Sequence, residues 1–237
     1  MKLQINNKQN IFFCSDPHYG HAGIVRGTST WEGKRGCRDF DTLEEHDQTL
    51  VDNINKTVGE DDILFCLGDW SFGGYKTGDN VTNIKRFRDQ IKCKNVHLIL
   101  GNHDGEIRKS KDGERELFSS VSPYLEIVVI DQPKEQCEVP LRYNIVMCHY
   151  AMRVWNKSSK GSWMLYGHSH GNLDEFTPLT ANPDWIGDQY YTKSYRTMDV
   201  GFDTHPEFRP YSFQELKEIM QRRDVTIEVD HHNGNRD

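Results

Sequence analysis

The stretch Asn95-Val-His-Leu-Ile-Leu-Gly-Asn-His-Asp104 decides the fold that we expect for this chain. It opens as an apolar, partly β-branched run, which is typical of a buried strand. Gly101 ends the run, and Asn102, His103 and Asp104 follow at once. Because ligands bind beyond the carboxyl ends of strands in open α/β sheets, this pattern predicts a strand that delivers polar side chains to a binding site. A turn that only reverses the chain would contain the same residue types, so the stretch alone leaves both interpretations open.

The same arrangement recurs at four other predicted strand ends. Each strand is a short apolar run, and each is followed by side chains that can bind a metal ion: Ile11–Cys14 by Asp16 and His18, Asp62–Leu67 by Asp69, Tyr143–Cys148 by His149, and Trp163–Tyr166 by His168 and His170. Asp16 and His18 are two residues apart, so an extended backbone would point both side chains the same way. Recurrence at five strand ends favours one convergent site over five unrelated turns.

Composition and length indicate one α/β domain that spans residues 1–237. A chain of 237 residues with 35% hydrophobic content can bury one sizeable core. Its net charge of -7 gives no global basic surface for nucleic acid. The six cysteines form no C-x-x-C pair, which argues against a zinc knuckle or a thioredoxin-like site. No signal-like or membrane-spanning apolar run is present, so we expect a cytoplasmic protein without a membrane partner.

Helical periodicity and capping residues predict the helices between these strands. Thr42–Glu45 and Ser212–Glu215 have the Ser/Thr-x-x-Glu pattern of a capping box. The predicted helices cover about 42–58, 80–92 and 212–223, and segment 105–122 is also helix-prone. Further strands are expected at 125–130, 198–202 and 225–229.

Two loop regions and three isolated residues are candidates for substrate contact. Residues 22–40 carry an excess of basic residues, including Arg26 and Arg38, that is compatible with a phosphate contact or with an ordinary solvated loop. Residues 171–196 are polar and irregular but contain aromatic residues, which fits a flap over the site or a packed surface excursion. The three isolated candidates are His21, Tyr150 and Arg153.

The order D-x-H, G-D, G-N-H-D, H, G-H-x-H over residues 11–170 resembles the calcineurin-like metallophosphoesterase superfamily. The run Asp199-Val-Gly-Phe-Asp203 resembles the ending of small bacterial and phage members. This resemblance implies a four-layer α/β/β/α sandwich of two mixed sheets flanked by helices. It also implies that the protein works in the host cytoplasm if it is phage-encoded.

The donor set supports a metal centre. Seven side chains, too many for one tetrahedral site, mix oxygen and imidazole nitrogen and suit two divalent transition-metal ions. In the family that the chain resembles, Asp16, His18 and His170 hold one ion, Asn102, His149 and His168 hold the other, and Asp69 bridges them. Mn²⁺ is favoured, and Fe²⁺/Fe³⁺ or Zn²⁺ are compatible with the same donors.

The resemblance also implies a reaction. A hydroxide shared by the two ions would attack phosphorus, His103 would protonate the leaving oxygen, and Asp104 could orient the His103 ring. The favoured substrate is a small phosphodiester, in particular a nucleotide or cyclic nucleotide. A phosphomonoesterase and a DNA or RNA nuclease are alternatives, although the acidic balance argues against nucleic acid. A non-catalytic scaffold is disfavoured because every ligand position is filled, and the sequence gives no indication of oligomeric state.

Overall fold

The computed structural model describes residues 1–5, 9–73, 79–110, 113–131, 139–173 and 196–223. Within these ranges the chain forms two five-stranded sheets and four α-helices. The strands, numbered in chain order, are β1 (Lys2–Ile5), β2 (Ile11–Cys14), β3 (Ile63–Cys66), β4 (Asn95–Ile99), β5 (Ser120–Ser122), β6 (Tyr124–Asp131), β7 (Leu141–Cys148), β8 (Trp163–Tyr166), β9 (Thr197–Asp199) and β10 (Tyr211–Ser212). The helices are α1 (Leu43–Thr57), α2 (Asn80–Gln90), α3 (Gly105–Lys109) and α4 (Phe213–Gln221).

Both sheets are mixed, and their parallel strands set the position of the site. The first sheet has the order β10-β2-β3-β4-β5, in which only β10 runs antiparallel to its neighbour. The second has the order β1-β6-β7-β8-β9, with β6 and β7 antiparallel and the other pairs parallel. The two sheets meet at one edge, where Ser15 after β2 forms a bridge with Gly201 after β9. The carboxyl ends of five strands therefore lie around one region.

The main core lies between the two sheets. Phe13 and Phe65 from the first sheet are buried and stack with ring centroids 5.5 Å apart. Met147 and Trp163 from the second sheet belong to the same buried cluster, and α4 adds Leu216. Dense apolar packing of this kind holds the sheets at a fixed distance, so the strand ends that they carry are rigid supports.

A second core lies between the first sheet and the helices α1 and α2. Leu50 and Ile54 of α1 and Phe87 of α2 are fully or almost fully buried against the strands. The Trp70 indole extends this cluster from the end of β3 and lies 4.4 Å from the Phe87 ring. The helices therefore fix the segment that follows β3, which carries Asp69.

The outer face of the second sheet is covered differently. In the described residues, Trp155 from the irregular segment 149–162 packs on this face against Val146, Met164 and Tyr166.

The expected α/β architecture of two mixed sheets flanked by helices is confirmed. None of the helices in the described part of the chain is long and apolar enough to cross a membrane.

Several element boundaries differ from those expected. Segment 105–122 was expected to be helix-prone, but it ends in β5, because Ser120–Ser122 pairs with the edge of β4. The strand expected at 198–202 ends at Asp199, and a 3₁₀ turn follows at Phe202–Thr204. The expected strand 225–229 and most of the expected flap, 174–195, lie outside the described residues.

We expect Leu50→Ala to lower the free energy of unfolding by about 2–5 kcal/mol, because it leaves a cavity between α1 and the first sheet. Leu50 is completely buried. Leu141→Ala removes the same atoms from a side chain that is 57% exposed, so it should change stability by less than about 0.5 kcal/mol. Urea unfolding of both variants measures the difference, and equal losses would contradict the described packing.

Candidate metal centre

All seven side chains predicted as ligands meet at the shared sheet edge. Three groups of three have ligand atoms within 4.8 Å of one another: Asp16, His18 and His170 form the first, Asp69, His149 and His168 form the second, and His18, Asp69 and His103 form a third that overlaps both. Asn102 joins the second group, because its Oδ1 lies 2.9 Å from Nε2 of His149 and 2.9 Å from Nδ1 of His168. The predicted ligands therefore converge into clusters that could hold metal ions.

The carboxylate of Asp69 lies between the two groups. Its Oδ2 is 3.5 Å from Nε2 of His18 on one side and 3.5 Å from Nε2 of His149 on the other. Its Oδ1 accepts a hydrogen bond from the backbone nitrogen of His103 at 2.8 Å, which fixes the carboxylate plane. A buried carboxylate in this position can serve both groups at once.

The first group contains buried polar atoms that have no hydrogen-bond partner. Among the described residues only three buried side-chain atoms lack one, and two of them are Oδ1 of Asp16 and Nε2 of His18. These two atoms lie 3.9 Å apart, and Nε2 of His170 is also 3.9 Å from the Asp16 oxygen. Because buried polar groups are normally satisfied, unpartnered donor atoms that face one another fit a cation. The side chains present at this position therefore fit a bound metal ion.

Burial shifts the protonation of these donors strongly. It raises the pKa of Asp16 to about 7, and the nearby Asp69 carboxylate adds to the shift. Burial lowers the pKa of His18 well below its usual value, and the positive charge of Arg38 lowers it further. Burial also lowers the pKa of His149. The imidazoles of His18 and His149 are therefore held neutral at pH 7, the form that binds metals.

Each of three imidazoles has a partner that fixes its orientation. Nδ1 of His149 lies 2.7 Å from the backbone oxygen of Leu67, and Nδ1 of His170 lies 2.7 Å from Oδ2 of Asp203. We assign the proton to Nδ1 in both rings, because each partner only accepts. Nδ1 of His18 lies 3.2 Å from Nδ1 of His21, one of the three isolated residues considered for substrate contact. In all three rings Nε2 is left to face the centre.

The backbone at the centre adopts an unusual conformation. Of the eight non-glycine residues with positive φ among those described, five are predicted ligands: Asp16, His18, Asp69, His168 and His170, with φ between 48° and 70°. The backbone at Asp16 and His18 is therefore not extended as we expected, although the two side chains do converge, with Nε2 of His18 3.9 Å from Oδ1 of Asp16. Left-handed conformations cost about 1–3 kcal/mol each in non-glycine residues and concentrate at functional sites.

His103 lies at the edge of the centre, where its imidazole also forms a possible donor group with His18 and Asp69. Its side chain is 36% exposed, and its Nε2 is 4.0 Å from Oδ2 of Asp69. Its ring meets those of His18 and Phe72 edge-on, with centroids 5.3 Å and 5.0 Å apart. Burial lowers the pKa of His21 to about 4, and the neighbouring His103 adds to this shift. His21 is therefore neutral at pH 7. His103 is thus an accessible imidazole next to a desolvated cluster.

The expectation that Asp104 orients the His103 ring is not met. Its buried carboxylate accepts hydrogen bonds from the backbone nitrogens of Asp69, Trp70 and Gly101, at 2.7–3.0 Å. Asp104 therefore holds the two turns that follow β3 and β4 in place. It supports the position of Asp69 through the backbone.

Arg38, one of the residues considered for a phosphate contact, is buried and already paired with a carboxylate. Arg38 is 5% exposed, and its guanidinium pairs with the carboxylate of Asp203 through two bonds of 2.7–2.8 Å. It also donates to the backbone oxygens of Asp16 and Pro17. Arg38 and His170 hold the pKa of Asp203 well below its usual range, although burial acts in the opposite direction. Arg38 therefore connects the turn after β2 to the carboxylate that orients His170.

Two further carboxylates were missed or only noted in the sequence. Asp203 was recognised within the D-V-G-F-D run, but no role was assigned to it. Asp199 accepts hydrogen bonds from the Ser169 hydroxyl and the Gly171 nitrogen, and so holds the turn that carries His168 and His170. Neither role has a local sequence signal, since each depends on segments about 30 residues apart.

The remaining predicted contacts are exposed side chains. Arg26 is half exposed and pairs closely with Asp39, so a carboxylate already neutralises it. Tyr150 is 47% exposed, and its ring lies edge-on to those of His149 and His168. Arg153 is exposed in the segment that follows Tyr150. Tyr150 is therefore beside the centre.

Comparison with known proteins decides the family. A model described as calcineurin-like phosphoesterase matches residues 9–232, almost the whole chain. The chain belongs to the calcineurin-like phosphoesterase family. Membership supports metal-dependent hydrolysis of phosphoric esters, and the clustered donors of this phosphoesterase fit the metal ions that the family implies.

Relatives of this phosphoesterase occur in phages and archaea. The gene 66 protein of Mycobacterium phage D29 is 26% identical over 227 residues, which cover 89% of this chain and 96% of that protein. An uncharacterized protein of Methanocaldococcus jannaschii is 26% identical over 171 residues, covering 71% and 74%. The crystal structure of AQ665 from Aquifex aeolicus superimposes with a TM-score of 0.52 at 17% identity and covers 90% of this chain and 100% of that one. The structural match supports the fold.

We expect Gly101→Ala to disrupt the centre. A Cβ atom there would lie 2.6 Å from the backbone nitrogen of Asp69 and 2.9 Å from Cε1 of His149, and closer still to Oδ1 of Asp69. Moving Asp69 should weaken metal binding by about tenfold or more, the order expected when a ligand loses its support. The matched control is Gly105→Ala, where a Cβ would meet nothing within 4 Å. Elemental analysis after reconstitution measures the effect, and full occupancy in Gly101→Ala would contradict it.

We expect Asp203→Asn to weaken metal binding by about 10–100-fold while the fold is kept, because His170 loses the carboxylate that orients it. An amide oxygen can still accept one bond, so the local shape is preserved. Asp41→Asn, at an exposed position before α1, makes the same chemical change and serves as the control. Competition with a chromogenic chelator gives both affinities, and identical values would contradict the role of Asp203.

Proposed function

We propose that this phosphoesterase is a dinuclear metal-dependent phosphodiesterase that acts on a nucleotide or cyclic nucleotide. The observation that carries the proposal is the position of Asp69, whose Oδ2 lies 3.5 Å from an imidazole nitrogen of each donor group. The unpartnered Asp16 oxygen beside it supports a cation on one side, and the convergence of Asn102 and His168 supports one on the other.

The donors present would hold one ion through Asp16, His18 and His170 and the other through Asn102, His149 and His168, with Asp69 shared. Mixed imidazole and oxygen donors suit Mn²⁺, which we favour, as well as Fe²⁺/Fe³⁺ and Zn²⁺. When bound, a pair of such ions neutralises charge on the phosphoryl oxygens and makes water nucleophilic at neutral pH.

The protein side chains supply positioning and proton transfer. His103 is tied to the centre by the bond from its backbone nitrogen to Asp69, while its ring remains accessible. From this position the imidazole can hold a proton near the leaving oxygen and give it up as the ester bond breaks. An alkoxide leaving group benefits from that proton, so a general acid at this position fits the hydrolysis of a diester.

Neutral aromatic rings next to His103 support a nucleotide as substrate. Phe72 and His21 stack with centroids 3.9 Å apart on the His103 side of the centre, and Tyr150 lies on the His168 side. Rings of this kind bind flat groups such as nucleobases. The acidic chain, with net charge -7, argues for a small substrate rather than a nucleic acid polymer.

We expect the purified protein, reconstituted with Mn²⁺, to bind two ions per chain and to hydrolyse bis-p-nitrophenyl phosphate faster than p-nitrophenyl phosphate. His103→Ala should retain both ions and lose about 100-fold or more in kcat, the usual range for a general acid. Turnover and elemental analysis on the same samples measure both quantities.

Measuring turnover and metal content on the same samples distinguishes a general acid from a metal ligand at His103. Loss of an ion together with the rate would make His103 a ligand, which its distance of 4.0 Å from Asp69 Oδ2 also allows. Near-normal turnover with full occupancy would exclude it as the acid. Faster cleavage of the monoester would replace the diesterase with a phosphomonoesterase, and failure of both substrates with both ions bound would overturn the proposal.

A further inference from the structure

A row of aromatic rings leads from His103 to the protein surface. The His103 ring meets Phe72 edge-on at 5.0 Å, and Phe72 stacks on His21 at 3.9 Å with an angle of 18° between the ring planes. His21 in turn meets the Trp31 indole edge-on at 6.1 Å. The row is continuous with the centre, but only its inner end takes part in the chemistry proposed above.

Trp31 at the outer end is unusual in its exposure. It is 46% exposed, whereas the other described tryptophans, Trp70, Trp155 and Trp163, are 0–7% exposed. A large apolar side chain that is about half exposed next to an active site is informative, because a substantial part of its hydrophobic stabilisation is not realised. Its position favours contact with a ligand.

The loop that carries Trp31 is well anchored. Val25 is fully buried and pairs with Arg38, whose guanidinium reaches the backbone of Asp16. The Trp31 nitrogen donates to the Ser29 hydroxyl at 3.2 Å, and the Trp31 oxygen accepts from the Lys34 nitrogen. The indole is thus presented on a supported backbone that is tied to the centre.

Charge in this loop favours ring contacts over phosphate contacts. Arg26 pairs with Asp39, and Arg38 pairs with Asp203. Two of the four basic side chains of the loop are therefore already engaged by carboxylates, so the loop does not form a phosphate clamp from them. Its distinctive feature is the aromatic surface.

We propose that Trp31, His21 and Phe72 form a subsite for the nucleobase of the leaving nucleoside. The proposal rests on the proposed function, because His103 can protonate the leaving oxygen only if the leaving group lies on its side of the centre. The group attached to that oxygen then extends along the row of rings toward Trp31. Stacking requires a flat π-system but no particular hydrogen-bonding edge, so the subsite recognises a base without selecting which one.

Binding measurements test the subsite without turnover. The probes are AMP and methyl ribofuranoside 5-phosphate, which differ by the base, titrated calorimetrically into the Mn²⁺-loaded protein, with chromatography confirming that both stay intact. We expect AMP to bind at least about tenfold more tightly, the order that one stacked base contributes. Equal affinities would overturn the proposal.

Substitutions at Trp31 assign the preference to the row of rings. Trp31→Ala should abolish most of the difference between the two probes, and Trp31→Phe should retain it, because a phenyl ring still stacks. Leu141→Ala, which trims an apolar side chain that is 57% exposed at the far end of β7, should leave it unchanged. A preference that persists in a folded Trp31→Ala variant would overturn the proposal.

The experiments distinguish failure of the nucleobase subsite from failure of the phosphodiesterase assignment. If AMP is preferred through Trp31 but no phosphodiester is cleaved, the subsite stands and the phosphodiesterase assignment falls. If diesters are cleaved but the base makes no difference to binding, the reverse holds. A single-stranded decanucleotide that binds more than about tenfold tighter than a dinucleotide would replace the single-base subsite with a strand-binding track, and equal binding supports the subsite.

Discussion

The desolvated carboxylate of Asp16 is the constraint around which this molecule is arranged. It is completely buried, one of its oxygens has no partner, and its pKa is raised to about 7 because water is excluded. A buried anion of this kind is unfavourable unless a positive charge approaches it. Arg38 does not supply that charge to the side chain, since its guanidinium reaches only the backbone oxygen of Asp16. The free oxygen faces the imidazoles, where a cation relieves the cost.

Three other carboxylates make this arrangement rigid without entering it. Asp104 accepts hydrogen bonds from backbone nitrogens of the turns after β3 and β4. Asp199 accepts one from the turn after β8. Asp203 fixes an imidazole and is itself held by Arg38. They offset the strain of five left-handed residues, because a turn that is held by several charged hydrogen bonds cannot relax. The protein therefore uses acidic residues in two ways, as donors to the centre and as clamps on backbone nitrogens.

The family, the strands and the location of the donor groups could be predicted from sequence because each signal is local. In each block an apolar run is followed within two residues by a polar side chain that can bind metal, with a glycine between them in three of the five blocks, and parallel pairing brings the blocks together. The clamps could not be predicted in the same way. Asp104 follows His103 directly, which suggested contact with its ring, yet the Asp104 carboxylate accepts from two backbone nitrogens of the turn after β3 and from one of its own turn. Arg38 lies in a basic loop, and only the folded chain shows that its guanidinium is paired with the carboxylate of Asp203, 165 residues away. Short β1 and β10 also have no clear signal, since each depends on a neighbouring strand for its pairing.

The bond between Arg38 and Asp203 has a consequence for the order in which the protein acquires its activity. It joins residues 165 positions apart, and the centre as a whole combines segments from Asp16 to His170 with support from Asp203. Contacts of such long range form late, because most of the intervening chain must be ordered before its ends can meet. During translation, a nascent chain that stops before Asp203 would carry every donor yet lack the anchor for His170. The donor group that contains His170 is therefore complete in its orientation only after synthesis has passed Asp203.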